Sequence, residues 1–301
     1  MEKINPNEYF SINENMSSYI DELVQALRKD LPVYGELKRL NLSVKEVKEN
    51  IARLTDFKND YNYCKNCPGI DKCDKTIPHL KMIISRDGNF INSSFEPCDK
   101  ILEKIRIDNQ YLYADFPEEW KESSLQTLDI SKNRAPIIKA FNDIVTNKAR
   151  RWIFTYGNSG VGKSFILVTL ANTFVKGGLG QVAIINAPRR IKELSDLSRI
   201  NKEEFASAIV QLSTVPLLIL DDFGNEYKSE YVRDTITLPI LLERQRNGLP
   251  TFFSSQFSIS EIQALYSTGD ASGKIKGKQI GNLLRNMCEE EFDLNGVSFY
   301  R

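Results

Sequence analysis

Only one histidine, His79, occurs in this chain of 301 residues, and it lies among cysteines. A Ser-His-Asp hydrolase needs a histidine beside its nucleophile, and the place of His79, among cysteines and far along the chain from residues 157–164, argues against that class. No apolar run approaches the roughly 18 residues that a membrane-spanning helix needs. The first residues, Met1-Glu2-Lys3-Ile4-Asn5-Pro6, carry no signal-peptide pattern, so a cytoplasmic protein with no membrane contact is expected. Charge of one sign is not in excess either: Lys+Arg and Asp+Glu both number 40. No global field draws the chain toward nucleic acid, and any such contact must rest on local basic patches. What is present is ordinary for a globular protein, with 41% hydrophobic and 27% charged residues. The length is about twice that of a typical domain, which predicts two domains.

The most informative stretch is Gly157-Asn158-Ser159-Gly160-Val161-Gly162-Lys163-Ser164, which fits G-x-x-x-x-G-K-[ST] at every fixed position. Glycines let the backbone curl so that successive N–H groups face a phosphate, where side chains would intrude. Lys163 then supplies a point charge for the β and γ oxygens, and Ser164 a hydroxyl for Mg²⁺. Context agrees with the motif. Trp152-Ile153-Phe154-Thr155-Tyr156 reads as a strand before the loop, and Phe165-Ile166-Leu167-Val168-Thr169-Leu170-Ala171 as a buried helix after it. Residues 157–165, including Phe165, are therefore the expected ATP-binding set.

Strands and helices alternate beyond this point, predicting an α/β domain with a parallel central sheet. Gln181-Val182-Ala183-Ile184-Ile185-Asn186 is a second strand, followed by helical segments near 188–197 and 202–212. Val215-Pro216-Leu217-Leu218-Ile219-Leu220-Asp221-Asp222 is a third, whose apolar run delivers a carboxylate to the sheet's C-terminal edge. Asp221 is expected to share Mg²⁺ with Ser164, and Asp222 to orient or deprotonate an attacking water; its short side chain predicts slow hydrolysis. Leu249-Pro250-Thr251-Phe252-Phe253-Ser254-Ser255-Gln256 is a fourth strand, with Gln256 as candidate γ-phosphate sensor.

Four of the five cysteines, Cys64, Cys67, Cys73 and Cys98, lie in one segment, and Cys288 stands apart. In a reducing compartment such clustering points to metal rather than disulfides. Cys64-Lys65-Asn66-Cys67 is a C-x₂-C knuckle, and with Cys73, His79 and Cys98 there are five candidates for the four positions around a structural Zn²⁺. Residues 81–91 read as two short strands around Asp87-Gly88, a hairpin able to return Cys98 to the knuckle. Upstream, Ile20, Leu23, Val24 and Leu27 form one helical stripe. Val44, Val47, Ile51 and Leu54 form another behind the capping box Ser43-x-x-Glu46, with Pro32 breaking the helix between them. A small helical, zinc-stapled module over 1–107, a polar linker over 108–125 and a nucleotide-binding domain over 126–301 are the expected divisions.

The zinc knuckle, the G-x-x-x-x-G-K-S loop, Leu217-Leu218-Ile219-Leu220-Asp221-Asp222-Phe223-Gly224, Val232-Arg233-Asp234 and Pro250-Thr251-Phe252-Phe253-Ser254-Ser255-Gln256-Phe257-Ser258 together resemble the DnaC/DnaI-like family of AAA+ helicase loaders. The resemblance implies an AAA+ ATPase domain that binds ATP and single-stranded DNA and can self-associate. It also implies an N-terminal domain that grips the hexameric replicative helicase, alongside other primosome proteins, in initiation and restart of DNA replication. It further implies Cys64, Cys67, His79 and Cys98 as the zinc ligands, with Cys73 to spare. Two positions depart from the family. Gln256 stands where asparagine is usual, and the C-terminal helix offers Lys274, Lys276 and Lys278 with a single Arg285 as sensor or arginine finger. Lys148, Arg150 and Arg151, or Arg189, Arg190 and Lys192, are the other basic groups available to DNA.

Three other readings compete. A DnaC-like regulator or transposition helper predicts a transposase partner, and the cysteine module speaks against it. A P-loop phosphotransferase needs an acceptor pocket with a base, and no such motif is visible. An adaptor with a merely structural ATP site predicts that loss of Lys163 leaves its partner function intact.

Overall fold

The computed structural model describes residues 14–88, 90–126, 128 and 133–295. The N-terminal hexapeptide read for a targeting signal and Asn89 of the hairpin lie outside them. The chain divides into two compact units, Met1–Arg106 and Ile107–Arg301.

In the first unit, helices α1 (Glu14–Lys29), α2 (Leu31–Arg39), α3 (Val44–Glu49) and α4 (Ile51–Lys65) precede the hairpin strands β1 (Leu80–Asp87) and β2 (Phe90–Pro97), then α5 (Asp99–Asp108). Pro32 sits in the first turn of α2, where its missing N–H costs nothing. Both halves of the capping box form: Ser43 Oγ accepts from the Glu46 N–H and Glu46 Oε2 from the Ser43 N–H. The second apolar stripe is split by Asn50 between α3 and α4, leaving Val44 exposed while Leu54 is buried. Leu27, Val33, Leu37, Leu54 and Phe57 pack with Ile84 of β1 and Ile91 of β2 into one core.

The second unit is a six-stranded sheet in the order β3-β5-β6-β7-β4-β8, with every pairing parallel. In chain order it runs β3 (Tyr111–Ala114), α6 (Ala135–Asn147), β4 (Ile153–Tyr156), α7 (Lys163–Lys176), β5 (Val182–Asn186), α8 (Ala187–Ile200), α9 (Lys202–Thr214) and β6 (Leu217–Asp221). A π-helical turn at Val232–Thr237 then leads to α10 (Leu238–Asn247), β7 (Thr251–Ser255), α11 (Ile259–Tyr266), α12 (Ala271–Cys288) and β8 (Glu291–Asp293). Period-two alternation splits the strands between two cores. Phe154, Ala183, Ile185, Leu218, Leu220 and Phe253 face one. Ile153, Val182, Ile184, Leu217, Ile219 and Phe252 face the other, with α6 and α7. Burial on both faces is why these strands read as continuous apolar runs.

The stretch 108–125, expected as a linker, is instead part of this unit. Its β3 is an edge strand paired with β5. Fully buried Asn172 of α7 accepts from Tyr111 Oη at 2.6 Å and donates to the carbonyls of Trp120 and Ser123 at 2.7 and 3.1 Å. One buried amide thus ties the segment down, while its outward side chains supply the polar composition that reads as a linker. Arg244, also fully buried, donates to Leu212 O, Val215 O, Pro250 O and Thr251 Oγ1, holding the end of α9 to the start of β7.

Candidate nucleotide site

β4 ends at Tyr156, and the chain turns at once into the glycine loop, with Gly157, Gly160 and Gly162 at φ 141°, 81° and 88°. Such angles are strained for any residue with a Cβ, which accounts for all three glycines. α7 then starts at Lys163, so its unpaired N-terminal N–H groups and positive dipole end face the hollow of the loop. Lys163 is buried, with Nζ donating to Gly157 O at 2.9 Å and Asn158 O at 2.7 Å. Its ammonium pKa lies below the usual lysine value because burial outweighs the attraction of Asp222 and Asp221.

β6 delivers Asp221 beside the loop. Ser164 Oγ donates to Asp221 Oδ1 at 2.6 Å, and Ser254 Oγ of β7 donates to the same oxygen. Burial pushes the Asp221 carboxyl above the usual carboxylate range; the two hydroxyls and Lys163 pull it down, and Asp222 adds to the rise. A buried carboxylate with hard oxygen donors beside it is the donor set that suits Mg²⁺. Loop, helix N-terminus, Lys163 and the Ser164–Asp221 pair thus fit a magnesium–nucleotide. Asp222 follows in the left-handed region at φ 60°. That turn lets its N–H donate to Ser254 Oγ at 3.0 Å and the Phe223 N–H to Ser254 O at 2.8 Å, while Asn225 Nδ2 donates to its carboxylate. A cavity of about 210 Å³ adjoins Ser164 and Asp221, walled by Asp115, Phe116 and Trp120.

The remaining candidates are dispersed. Gln256 is exposed, just past the last residue of β7. Arg285 is exposed on α12, where it donates to Gln263 at 2.9 Å, Asn282 at 3.3 Å and Ser260 at 3.5 Å, all on α11 and α12. Arg233 is buried, gripping the adjacent Asp234 and the carbonyls of Tyr266 and Thr268, so Val232-Arg233-Asp234 staples the π turn to the end of α11. Of the basic groups, Arg189 and Arg190 pair with Asp115 and Glu193. Arg151 pairs with Asp143 and Glu289, and Lys192 with Asp196.

Sequence reasoning overlooked Ser254, which lies inside β7 two residues before Gln256 and bonds Asp221. The signal was the small polar pair Ser254-Ser255 at the strand's end. It also overlooked Glu226, whose buried carboxylate accepts from the Gly224 N–H at 2.8 Å and from Tyr266 Oη and so fixes the turn after Asp222.

The expected zinc centre is not assembled. Among the described residues no three His, Cys, Asp or Glu side chains converge where they could hold a metal. The hairpin does bring Cys98 to His79, whose carbonyl accepts the Cys98 N–H at 2.9 Å. Lys75, however, lies against the knuckle, 2.5 Å from Asp60 and 3.5 Å from Cys64 Sγ, so the Cys64 thiol is engaged by an ammonium. The His79 ring nitrogen Nε2 engages Ile70 O at 3.1 Å, and Cys64, Cys67, Cys73 and Cys98 are half-buried free thiols.

No family model matches the chain. Among curated proteins it is 24% identical over 260 residues to the replicative helicase loader DnaI of Bacillus subtilis (strain 168), covering 81% of each chain. Among solved structures, one of DnaI is 26% identical with a TM-score of 0.55, covering 62% of this chain and 99% of that one. A proposed primosome component from Streptococcus pyogenes serotype M3 is 24% identical with a TM-score of 0.52, covering 65% of this chain and 98% of that one; it speaks to the fold alone. The chain is therefore similar to the DnaC/DnaI-like loaders, and its parallel α/β sheet with a phosphate loop matches their AAA+ fold.

Proposed function

We propose that this chain is an ATP-dependent loader of the replicative DNA helicase, acting in initiation and restart of replication. The observation that carries the reading is the Ser164–Asp221–Ser254 cluster beside the glycine loop, in a chain similar to a helicase loader over 81% of its length. Residues 157–165 hold ATP, with Lys163 on the β and γ oxygens, and Ser164 and Asp221 hold Mg²⁺. The metal, when bound, neutralises phosphate charge. Asp222 orients water, and its carboxylate, one methylene shorter than a glutamate, makes hydrolysis slow and regulatory. Gln256 reports the γ-phosphate, and Arg285 reaches toward a neighbouring copy.

The first unit, to about residue 107, grips the helicase hexamer. Single-stranded DNA contact falls to Lys274, Lys276 and Lys278. Arg151, Arg189, Arg190 and Lys192 already have acidic partners, whereas Lys274 and Lys278 are exposed on α12. Such contact is weak, salt-sensitive and independent of sequence. Mixing the purified chain with its replicative helicase and ATP should give a complex on size exclusion, lost in Lys163→Ala. No complex with the unaltered chain would sink the reading.

A further inference from the structure

β8 is only three residues long, yet it runs parallel to β4 with Tyr156 opposite Asp293, so both strands end together at the mouth of the phosphate loop. The ladder continues one step further, the Leu294 N–H donating to Tyr156 O at 2.9 Å. The next donor along the β4 side is the Asn158 N–H. No strand carbonyl takes it: the Asn295 side chain does, with Oδ1 accepting at 2.9 Å. Asn295 is itself held by an Asx turn, its N–H donating to Asp293 Oδ1 at 2.7 Å, which fixes the backbone from which that side chain projects. A Cβ on Gly157 would lie 3.1 Å from both the backbone nitrogen and Oδ1 of Asn295. The first glycine of the motif is therefore closed to side chains twice over, by its φ of 141° and by a residue far away in the sequence.

We propose that Asn295 is a positioning residue of the nucleotide site: by accepting the Asn158 N–H it fixes the entry of the phosphate loop, so that the amides from Gly160 to Ser164 converge on one phosphate. Asn158 O and Gly157 O both accept from Lys163 Nζ. The peptide that Asn295 holds, carrying the Asn158 N–H and Gly157 O, is thus one of the two that aim the lysine. The same short strand follows α12 and Arg285, so whatever moves that helix reaches the phosphate loop through Asp293, Leu294 and Asn295. This deepens the nucleotide-binding reading and rests on it.

The test measures dissociation constants of a fluorescent ATP analogue with Mg²⁺ for the full chain, alongside the melting temperature without nucleotide. Asn295→Ala should weaken binding about five- to tenfold, the worth of one hydrogen bond, with the nucleotide-free melting temperature nearly unchanged. A double-mutant cycle supplies a readout that mere loss of structure would not move. Gly157→Ala should lose less affinity in an Asn295→Gly background than in the unaltered chain, because the contacts to Oδ1 and Cγ are then gone while the contact to the residue 295 backbone nitrogen and the φ strain remain. Should the variants fail to fold, hydrogen exchange in the unaltered chain decides, since the Asn158 amide must be protected without nucleotide. Binding by Asn295→Ala within about twofold of the unaltered chain, an additive cycle, or rapid exchange at Asn158 would each overturn the inference. Failure of the unaltered chain to bind the analogue would instead overturn the nucleotide-binding reading.

Discussion

Replacing Ser254 with alanine should destabilise the second unit by an amount that depends on pH. Ser254 Oγ donates to Asp221 Oδ1 and accepts from the Asp222 N–H at 3.0 Å. A hydrogen bond to a charged group contributes about 1.5–3 kcal/mol and a neutral one about 0.5–1.5 kcal/mol. Ser164 still donates to Asp221 in the variant and water reaches part of the turn, so about 2–3 kcal/mol is the expected loss near neutral pH. For a unit of this size that lowers the melting temperature by about 5–10 °C.

The pH dependence follows from Asp221, whose carboxyl lies above its ordinary value in the fold because of burial, while the Ser254 bond lowers it. A carboxyl raised in the folded state favours folding when protonated, and that contribution fades as pH climbs from the unfolded value through the folded one. Ser254→Ala raises the folded value further, so its cost is largest where Asp221 must be charged and shrinks as the carboxyl takes up a proton. Chemical denaturation at about pH 8 and about pH 5 should show the smaller loss at the lower pH. Ser255→Ala is the matched control: its hydroxyl bonds Phe223 O at 2.7 Å and the Phe257 N–H at 3.0 Å, all neutral groups, so its cost should be smaller and flat with pH. Equal, pH-independent losses in the two variants would refute the assignment of Asp221 as a buried, hydroxyl-held carboxylate.

Lys163→Ala should abolish nucleotide binding yet leave the nucleotide-free melting temperature unchanged or slightly higher, since it removes a buried charge; a cooperative loss of fold would contradict this. Tyr266→Phe should cost about 1–3 kcal/mol by urea denaturation, because the buried Glu226 loses its hydroxyl donor. Exchange of Lys274, Lys276 and Lys278 for glutamine should weaken single-stranded DNA binding and flatten its log–log salt slope by about 2, whereas exchange of Arg189, Arg190 and Lys192 should change it little; the reverse ranking would move the DNA surface.

The elements that were legible in the sequence are those whose signal is local. β4, the loop and α7 follow one another directly, and β6 announces itself as an apolar run ending in Asp221. β5 and β7 fall within the stretches read as strands, and α8 and α9 include those read as helices near 188–197 and 202–212 and run a few residues beyond them. What escaped depends on partners distant in the chain. β3 and β8, with four and three residues, are too short to show a period, and each exists only because a longer strand lies beside it. Which side chain of β7 meets Asp221 is settled by cross-strand register, which gives that place to Ser254 and leaves no mark in the local sequence. The cysteines illustrate the converse. Their spacing suits a metal, yet Lys75, which carries no spacing signal, stands beside Cys64 in ion pair with Asp60.

Strand order has a mechanical meaning as well. β7 lies between β4, which leads into the phosphate loop, and β6, which carries Asp221, and it is bonded to both along its length. The two halves of the site are therefore separated by a ruler, two ladder spacings of about 4.8 Å each, that cannot stretch without unzipping the middle of the sheet. A bound nucleotide cannot pull these strands together or push them apart. Its arrival can be registered only at the fringe where the strands stop, in the bend at Asp222, the mouth at Gly157 and the Leu294-Asn295 step after β8.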